Sequence, residues 1–275
     1  MTKEEYQKLV SEMTWSFSRL NGFHHCKFCW AKNYIEKDKE NSEQNEFARV
    51  GVYIHELLED FYKGELLEFQ LTPMFRKWFK SESRDYPNNK YVDLENMYFD
   101  GFSKGLENID KFEEYDIVEV EPKISVKIKG YEFIGFMDLL VRHKKSGEYM
   151  IVDHKSWSKK KSKKDMVKYT RQLYLYSIYV KEKFGQYPSR LVFHLARKNK
   201  LVGSFFEEDM LEEAKQWVVD TIDEILECEE FPVTEDKFFG WNLCNYRNHE
   251  NHIVKDDNKD VESFILRLED IDYRE

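Results

Sequence analysis

Gly135-Phe-Met-Asp138-Leu-Leu-Val-Arg-His-Lys-Lys-Ser-Gly-Glu-Tyr-Met-Ile-Val-Asp153-His154-Lys155-Ser156 is the stretch on which the fold turns. Residues 133–141 and 149–152 are apolar runs rich in β-branched and aromatic side chains, and Lys144-Lys-Ser-Gly-Glu148 between them has the chemistry of a tight turn. The pattern predicts two adjacent strands, each delivering a carboxylate, with Asp138 and Asp153 side by side. Alternate side chains of a strand share a face, so Asp153 and Lys155 point one way. His154 points the other way and leaves its backbone carbonyl beside the acids. Two carboxylates, a carbonyl oxygen and an ammonium then converge, a set that suits a hard divalent cation such as Mg²⁺ or Mn²⁺.

An Asp at a strand end is ordinarily a turn residue, and Asp-x-Lys triplets arise by chance in any charged chain. Here the triplet emerges from the apolar run Tyr149-Met-Ile-Val152, one hairpin after a second Asp set within Ile134-Gly-Phe-Met-Asp-Leu-Leu-Val141. Charges at the edge of a core are costly unless partnered, and a metal ion is the partner this set fits.

Asp138 followed by Asp153-x-Lys155 resembles the active-site motif of the PD-(D/E)XK nuclease superfamily. The flanking residues are similar to its RecB-like branch, which includes bacterial helicase-nuclease subunits, CRISPR-adaptation nucleases and phage exonucleases. Ser16-Phe-Ser18-Arg-Leu20, leading to Cys26, resembles the family's Ser-x-Ser-x-Leu opening. Gly51-Val-Tyr-Ile-His55-Glu-Leu-Leu-Glu59 is similar to its His-bearing helix, and Gln172-Leu-Tyr-Leu-Tyr176 to its Gln-x-x-x-Tyr helix. The resemblance implies an α/β fold with a restriction-endonuclease-like αβββαβ core, a mixed central sheet flanked by helices, and a helical insertion. It implies that His55 joins Asp138, Asp153 and the His154 carbonyl as a metal ligand, and that Gln172 and Tyr176 help hold the scissile strand. Asp138, Asp153 and Lys155 would be catalytic, the lysine orienting the attacking water or offsetting charge on the phosphorus.

A net charge of −10 argues at first against nucleic acid. Its distribution reverses that inference, because residues 155–171 carry seven Lys and one Arg against one Asp. Lys159, Lys160, Lys161, Lys163 and Lys164 follow the proposed catalytic lysine and are candidate contacts to a phosphodiester backbone. A solvated lysine loop is the alternative for the same run. DNA is the expected substrate and Mg²⁺- or Mn²⁺-dependent hydrolysis the expected activity, and the resemblance implies an exonuclease in recombination, repair or phage replication. A catalytically silent nucleic-acid-binding subunit or recombination partner of the same fold is the alternative, against which the intact Asp, Asp, Lys set speaks.

With 41% hydrophobic and 16% aromatic residues the chain has ample apolar surface for a core. A single domain over 1–275 is expected: N-terminal helices in 1–64, a helical insertion in 65–114, the catalytic sheet and Gln/Tyr helix in 115–206, and a helix and tail in 207–275. The spacing of Phe47, Val50, Ile54, Leu57, Leu58 and Phe61 predicts a helix over Glu46 to Tyr62, with Gly64 as its stop. A short aromatic helix is expected over Phe23 to Ile35. Ile117 to Glu121, Ile124 to Ile128 and the Asp138 segment are expected as three antiparallel strands; Glu121 is a third carboxylate that could reach a second metal, but solvent or a structural ion pair is the favoured reading. Helices over Asp165 to Phe184 and Glu207 to Glu229 bracket strands at Arg190 to Ala196 and Leu201 to Phe206.

No run approaches the roughly 18 apolar residues of a membrane span, and the opening Met-Thr-Lys-Glu-Glu-Tyr has no apolar leader core. A cytoplasmic setting, bacterial or in a phage-infected host, is expected. There disulfides are not expected. Cys26-x-x-Cys29 has metal-ligand spacing, and Cys244 lies near His249. The family's iron–sulfur cysteines are incomplete here, since Trp241 and Glu250 stand where more would be expected, so a cluster is not expected. Plain thiols, or zinc held by Cys26, Cys29, Cys244 and His249, are the readings left open.

Overall fold

The computed structural model describes residues 1–82, 86, 87, 90–158, 160–271 and 273. In chain order the elements are α1 (Lys3–Ser11), α2 (Phe17–His25), α3 (Lys27–Tyr34), α4 (Glu46–Tyr62), α5 (Glu68–Ser81) and α6 (Leu94–Leu106). Strands β1 (Tyr115–Val120), β2 (Lys123–Ile128), β3 (Tyr131–Phe136), β4 (Leu139–His143) and β5 (Tyr149–Lys155) follow. The chain ends with α7 (Lys163–Phe184), β6 (Arg190–Leu195), β7 (Lys200–Phe205), α8 (Glu208–Leu226), β8 (Glu230–Pro232) and β9 (Ile265–Arg267). Two compact units result: Met1–Ala48 with Lys127–Phe133 and Gln216–Glu275, and Arg49–Val126 with Ile134–Lys215. Among the described residues no helix is long and apolar enough to cross a membrane.

The second unit is built on a mixed sheet in the order β1-β4-β5-β6-β7. β1–β4, β4–β5 and β6–β7 are antiparallel, while β5 and β6 run parallel. A parallel pair needs a long crossover, and α7 supplies it. Val50, Ile54, Leu57 and Leu58, spaced as the helical pattern predicts, bury one face of α4 against Leu139, Val141, Met150 and Val152 of the sheet. This is the α/β architecture the sequence predicts, and α5 and α6 supply the expected helical insertion.

Two expectations need correction here. The segment from Phe133 to Val141 is not one strand: β3 pairs with β2 in a separate two-stranded ladder, and β4 joins the central sheet. Glu121 adopts φ +51°, rare for a residue with a side chain, and Pro122 after it has no N–H for the ladder. Two bonds cross at this point, Glu121 N–H donating to Asp138 O (3.0 Å) and Met137 N–H to Pro122 O (3.2 Å). The long hairpin is thus bent, and Glu121 and Asp138 lie opposite each other at the bend.

In the first unit the expected helix over Phe23 to Ile35 is two helices. Ser16 caps α2, its Oγ accepting from Arg19 N–H, and Cys26 interrupts the run in an extended conformation, its Sγ accepting from Cys29 N–H (3.5 Å). A side chain that offers an acceptor to the next turn starts a new helix rather than continuing the old one. The aromatic core of this unit includes Tyr6, Trp15, Phe23, Phe28, Trp30 and Phe231, all essentially buried.

Candidate active site

The strand register places the acids. Leu139 pairs with Val152 and Val120 with Leu139, so one step further along, Glu121, Asp138 and Asp153 form a row across the ends of β1, β4 and β5. His154 N–H donates to Asp138 Oδ2 at 2.5 Å, locking the middle carboxylate to the neighbouring strand. His55, on α4, brings Nδ1 to 3.5 Å from Asp138 Oδ1. Lys155 Nζ lies 2.7 Å from Asp153 Oδ2 and also donates to Gln172 Oε1 at 3.4 Å. Gln172 in turn donates to Tyr176 Oη at 3.0 Å. Asp138, Asp153, Lys155, His55, Gln172 and Tyr176 therefore meet in one place.

Tyr176 is buried, and its ring lies against Gly135, where an added Cβ would meet Tyr176 Cε1 at 2.6 Å. Glycine at 135 is what lets the ring approach. Through Gln172 the tyrosine steadies Lys155. The His154 ring points away from the acids, as period-two alternation predicts. It stacks on Tyr62 (centroids 5.5 Å apart) and meets His194 Nδ1 at 2.9 Å. Asn199 Oδ1 accepts from Asp110 N–H and lies 3.0 Å from His194 Nε2, so His194 Nε2 is the donor there. Burial pushes both imidazoles below their usual range and keeps them neutral, so His194 Nδ1 accepts a hydrogen bond from His154 Nδ1–H.

Electrostatics in the row are those of crowded carboxylates. Burial first, then the Asp138 charge, pushes Glu121 up to about 7 against the opposing pull of His55. Burial likewise raises Asp153 to about 6, although Lys155 draws it down. Burial works against ionised Asp138 too, but the His55 charge and hydrogen bond hold it well below the usual carboxylate range. For His55 burial favours the neutral ring, and Asp138 outweighs it, raising the imidazole to about 9.

Glu121 is the residue for which sequence reasoning favoured solvent or an ion pair over a metal. His55, Glu121 and Asp138 each offer a ligand atom, all within 4.8 Å of one another, so these three could hold a metal ion. The donors are two carboxylates and an imidazole, which fit a divalent cation of the Mg²⁺ or Mn²⁺ kind. In the sequence, Glu121 and Asp138 are separated by the β2–β3 hairpin, and only the register of β1 on β4 shows them adjacent. The usable signal was the Glu-Pro pair closing a period-two run.

Lys160, Lys161, Lys163 and Lys164 are exposed at the start of α7, and Lys161 Nζ lies 5.3 Å from the Trp157 ring centroid. Lys159 falls outside the described residues. Lys163 and Lys164 occupy the first helical turn, where positive charge opposes the helix dipole and an anion would be stabilised.

A family model of the PD-(D/E)XK nuclease superfamily matches residues 14–248, and the chain belongs to that superfamily. It is a nuclease by descent. Among solved structures, a crystal structure of a presumed exonuclease from Eubacterium rectale is similar over 95% of this chain and 96% of that one, with 18% identity and a TM-score of 0.52. At that identity the likeness speaks to the fold. None of the curated proteins matches this chain.

Glu121→Gln separates the carboxylate row from chance proximity. Because Glu121 holds its proton more tightly in the folded chain, its stabilising protonated state is full at low pH and lost as pH rises through about 7. In EDTA the substitution should raise the melting temperature at pH 8 and leave it unchanged only at about pH 4 and below, where the carboxyl is protonated in the folded and unfolded chain alike. With metal, the Mn²⁺ concentration for half-maximal activity should rise about tenfold or more. Unchanged melting at both pH values would remove Glu121 from the cluster.

Proposed function

We propose that this nuclease is a Mg²⁺- or Mn²⁺-dependent deoxyribonuclease that degrades DNA from its ends. The observation that carries the reading is the row of three carboxylates at the strand ends, flanked by the imidazole of His55 and the ammonium of Lys155. His55, Glu121, Asp138, Asp153 and the His154 carbonyl would hold the ion, with Asp138 and Asp153 as the central ligands. When bound, the ion polarises a phosphate oxygen and makes an attacking water more acidic.

The rest is the work of the chain's own groups. Lys155, fixed between Asp153 and Gln172, presents a positive charge at the place where negative charge grows on the phosphoryl oxygens. Asp153 orients that ammonium while contributing its own oxygen to the ion. Gln172 and Tyr176 keep the lysine from swinging into solvent, a restraint worth rate because misplacement by an ångström is costly. The exposed lysines at the start of α7, and Lys159, which precedes them in the sequence, would bind backbone phosphates without regard to base sequence.

End-labelled linear duplex, linear single strand and closed circular DNA, each incubated with Mg²⁺, Mn²⁺ or EDTA, test the reading. The expected result is loss of label from linear DNA with either metal, none in EDTA, and survival of the closed circle. Cleavage that persists in EDTA would overturn metal dependence, and rapid cutting of the circle would overturn action from ends. DNA bound but never cut with any metal would support a silent binding subunit instead.

A further inference from the structure

The first unit gathers a second set of ligand-type side chains that the proposed nuclease chemistry does not use. Cys26 caps α3 and Cys29 lies one turn into it, so both thiols face the same side. Cys244 and His252 come from the C-terminal part of the same unit. One ligand atom from each of Cys26, Cys29, Cys244 and His252 lies within 4.8 Å of every other, with Cys26 Sγ 4.0 Å from His252 Nε2. Cys26, Cys244 and His252 are buried.

We propose that Cys26, Cys29, Cys244 and His252 form a tetrahedral zinc site that clamps the N-terminal and C-terminal segments of this unit together. Zn–S bonds of about 2.3 Å and Zn–N bonds of about 2.0–2.1 Å at tetrahedral angles put the ligand atoms roughly 3.5–3.8 Å apart; Cys26 Sγ and His252 Nε2, at 4.0 Å, are near that spacing, while the sulfurs of Cys29 and Cys244, in direct contact, would move apart to admit the ion. Three thiolates and an imidazole are the donor set that selects zinc over the hard cations suited to the carboxylate row. A multi-iron cluster would need cysteines spread around several metals, and a compact Cys₃His quartet suits one ion better.

Cys29 and Cys244 bring their sulfurs into direct contact, which makes a disulfide the competing reading. Their Cα atoms are 7.2 Å apart, beyond the range of about 4.4–6.8 Å within which two cysteines are usually bridged. That competitor also makes no use of the His252 imidazole beside the pair. Backbone N–H groups of Cys29 and Tyr246 point at Cys26 Sγ (3.5 Å) and Cys244 Sγ (3.4 Å), so both sulfurs already serve as acceptors. Binding would release the protons of the three thiols to solvent as three Zn–S bonds form.

The structure corrects the ligand set expected from sequence, because His252 and not His249 joins the cysteines. His249 Nδ1 accepts from Asn251 N–H at 3.1 Å, and its Nε2 faces Asp38 Oδ2 at 3.8 Å. The fourth cysteine, Cys228, stands apart with its Sγ donating to Glu230 O.

The experiment is metal analysis of the untagged full chain purified with a reductant and no chelator, together with the absorption spectrum after growth in cobalt. About one zinc per chain is expected, and the cobalt form should show the intense thiolate charge-transfer and tetrahedral visible bands of a sulfur-rich site. Asp138→Asn and His249→Ala should keep the zinc, while His252→Ala and Cys26→Ser should lower it about tenfold or more. The wild-type metal content and cobalt spectrum stand even if a variant fails to fold. Zinc-free protein with a Cys29–Cys244 disulfide, iron with acid-labile sulfide, or zinc lost from His249→Ala and kept in His252→Ala would each overturn the assignment.

Discussion

Asp153→Asn should lower the single-turnover rate of DNA cleavage about 10²–10³-fold at saturating metal, equivalent to roughly 2.7–4 kcal/mol of transition-state stabilisation. The substitution keeps the shape of the side chain and removes its charge. Asp153 would supply one oxygen to the ion and sets the position of Lys155 Nζ, 2.7 Å away, so both are disturbed together. The loss should therefore fall mainly on turnover, and DNA affinity should hardly change. Lys155→Ala should fall as far, and the double variant little further, because groups that act as a unit are not additive. Asp153 and Lys155 are both deeply placed, and leaving either unpaired costs stability, so melting curves must accompany the rates. A folded Asp153→Asn protein that cuts DNA at the wild-type rate would sink the assignment.

Gly105→Ala should lower stability by about 2–3 kcal/mol or more, or about 4–10 °C in melting temperature for a chain of this size. Helix propensity alone forecasts the opposite, since alanine in place of glycine inside a helix is worth about 1 kcal/mol in its favour. Gly105 lies in the last turn of α6, and a Cβ there would meet the backbone oxygen of Ala196, just past β6, well inside van der Waals contact. Backbone cannot rotate away as a side-chain tip can, so α6 must lift from the sheet and loosen Phe102 and Leu106, both buried in the core. Gly51 of α4, where an added Cβ meets nothing within 4 Å, is the control, and Gly51→Ala should be neutral or stabilising. Equal melting of Gly105→Ala and wild type would show that the close approach does not persist in solution.

Those two glycines mark where a sequence stops informing. Both lie in helical runs, and nothing local separates them; the difference is what lies opposite. The same holds for Glu121. Its neighbours in the chain give it a period-two strand and a proline, which leave solvent, an ion pair and a metal all open to its carboxylate. Only the pairing of β1 with β4 across the intervening β2–β3 hairpin makes it the neighbour of Asp138. The choice between His249 and His252 is of this kind too, since the two are three residues apart and the turn Tyr246 to His252 decides which ring faces the thiols.

What the chain determines by itself is local and periodic. The apolar spacing of residues 47–61 dictates α4 and the face it buries, and the hairpin turn at 144–148 sets Asp138 against Asp153 because that pairing needs only a few residues of chain. The caps at Ser16 and Cys26 were equally present in the sequence, yet the break between α2 and α3 was hidden beneath a continuous aromatic pattern. What only tertiary structure decides is long-range register: which strand lies beside which, where a helix approaches backbone closely enough to demand glycine, and which distant side chains converge. Register has a side-chain period of two, so each slip of one residue exchanges core for solvent. Only the packing of the whole sheet against α4 and α7 can select among such registers, and that selection puts Glu121 in line with the two aspartates.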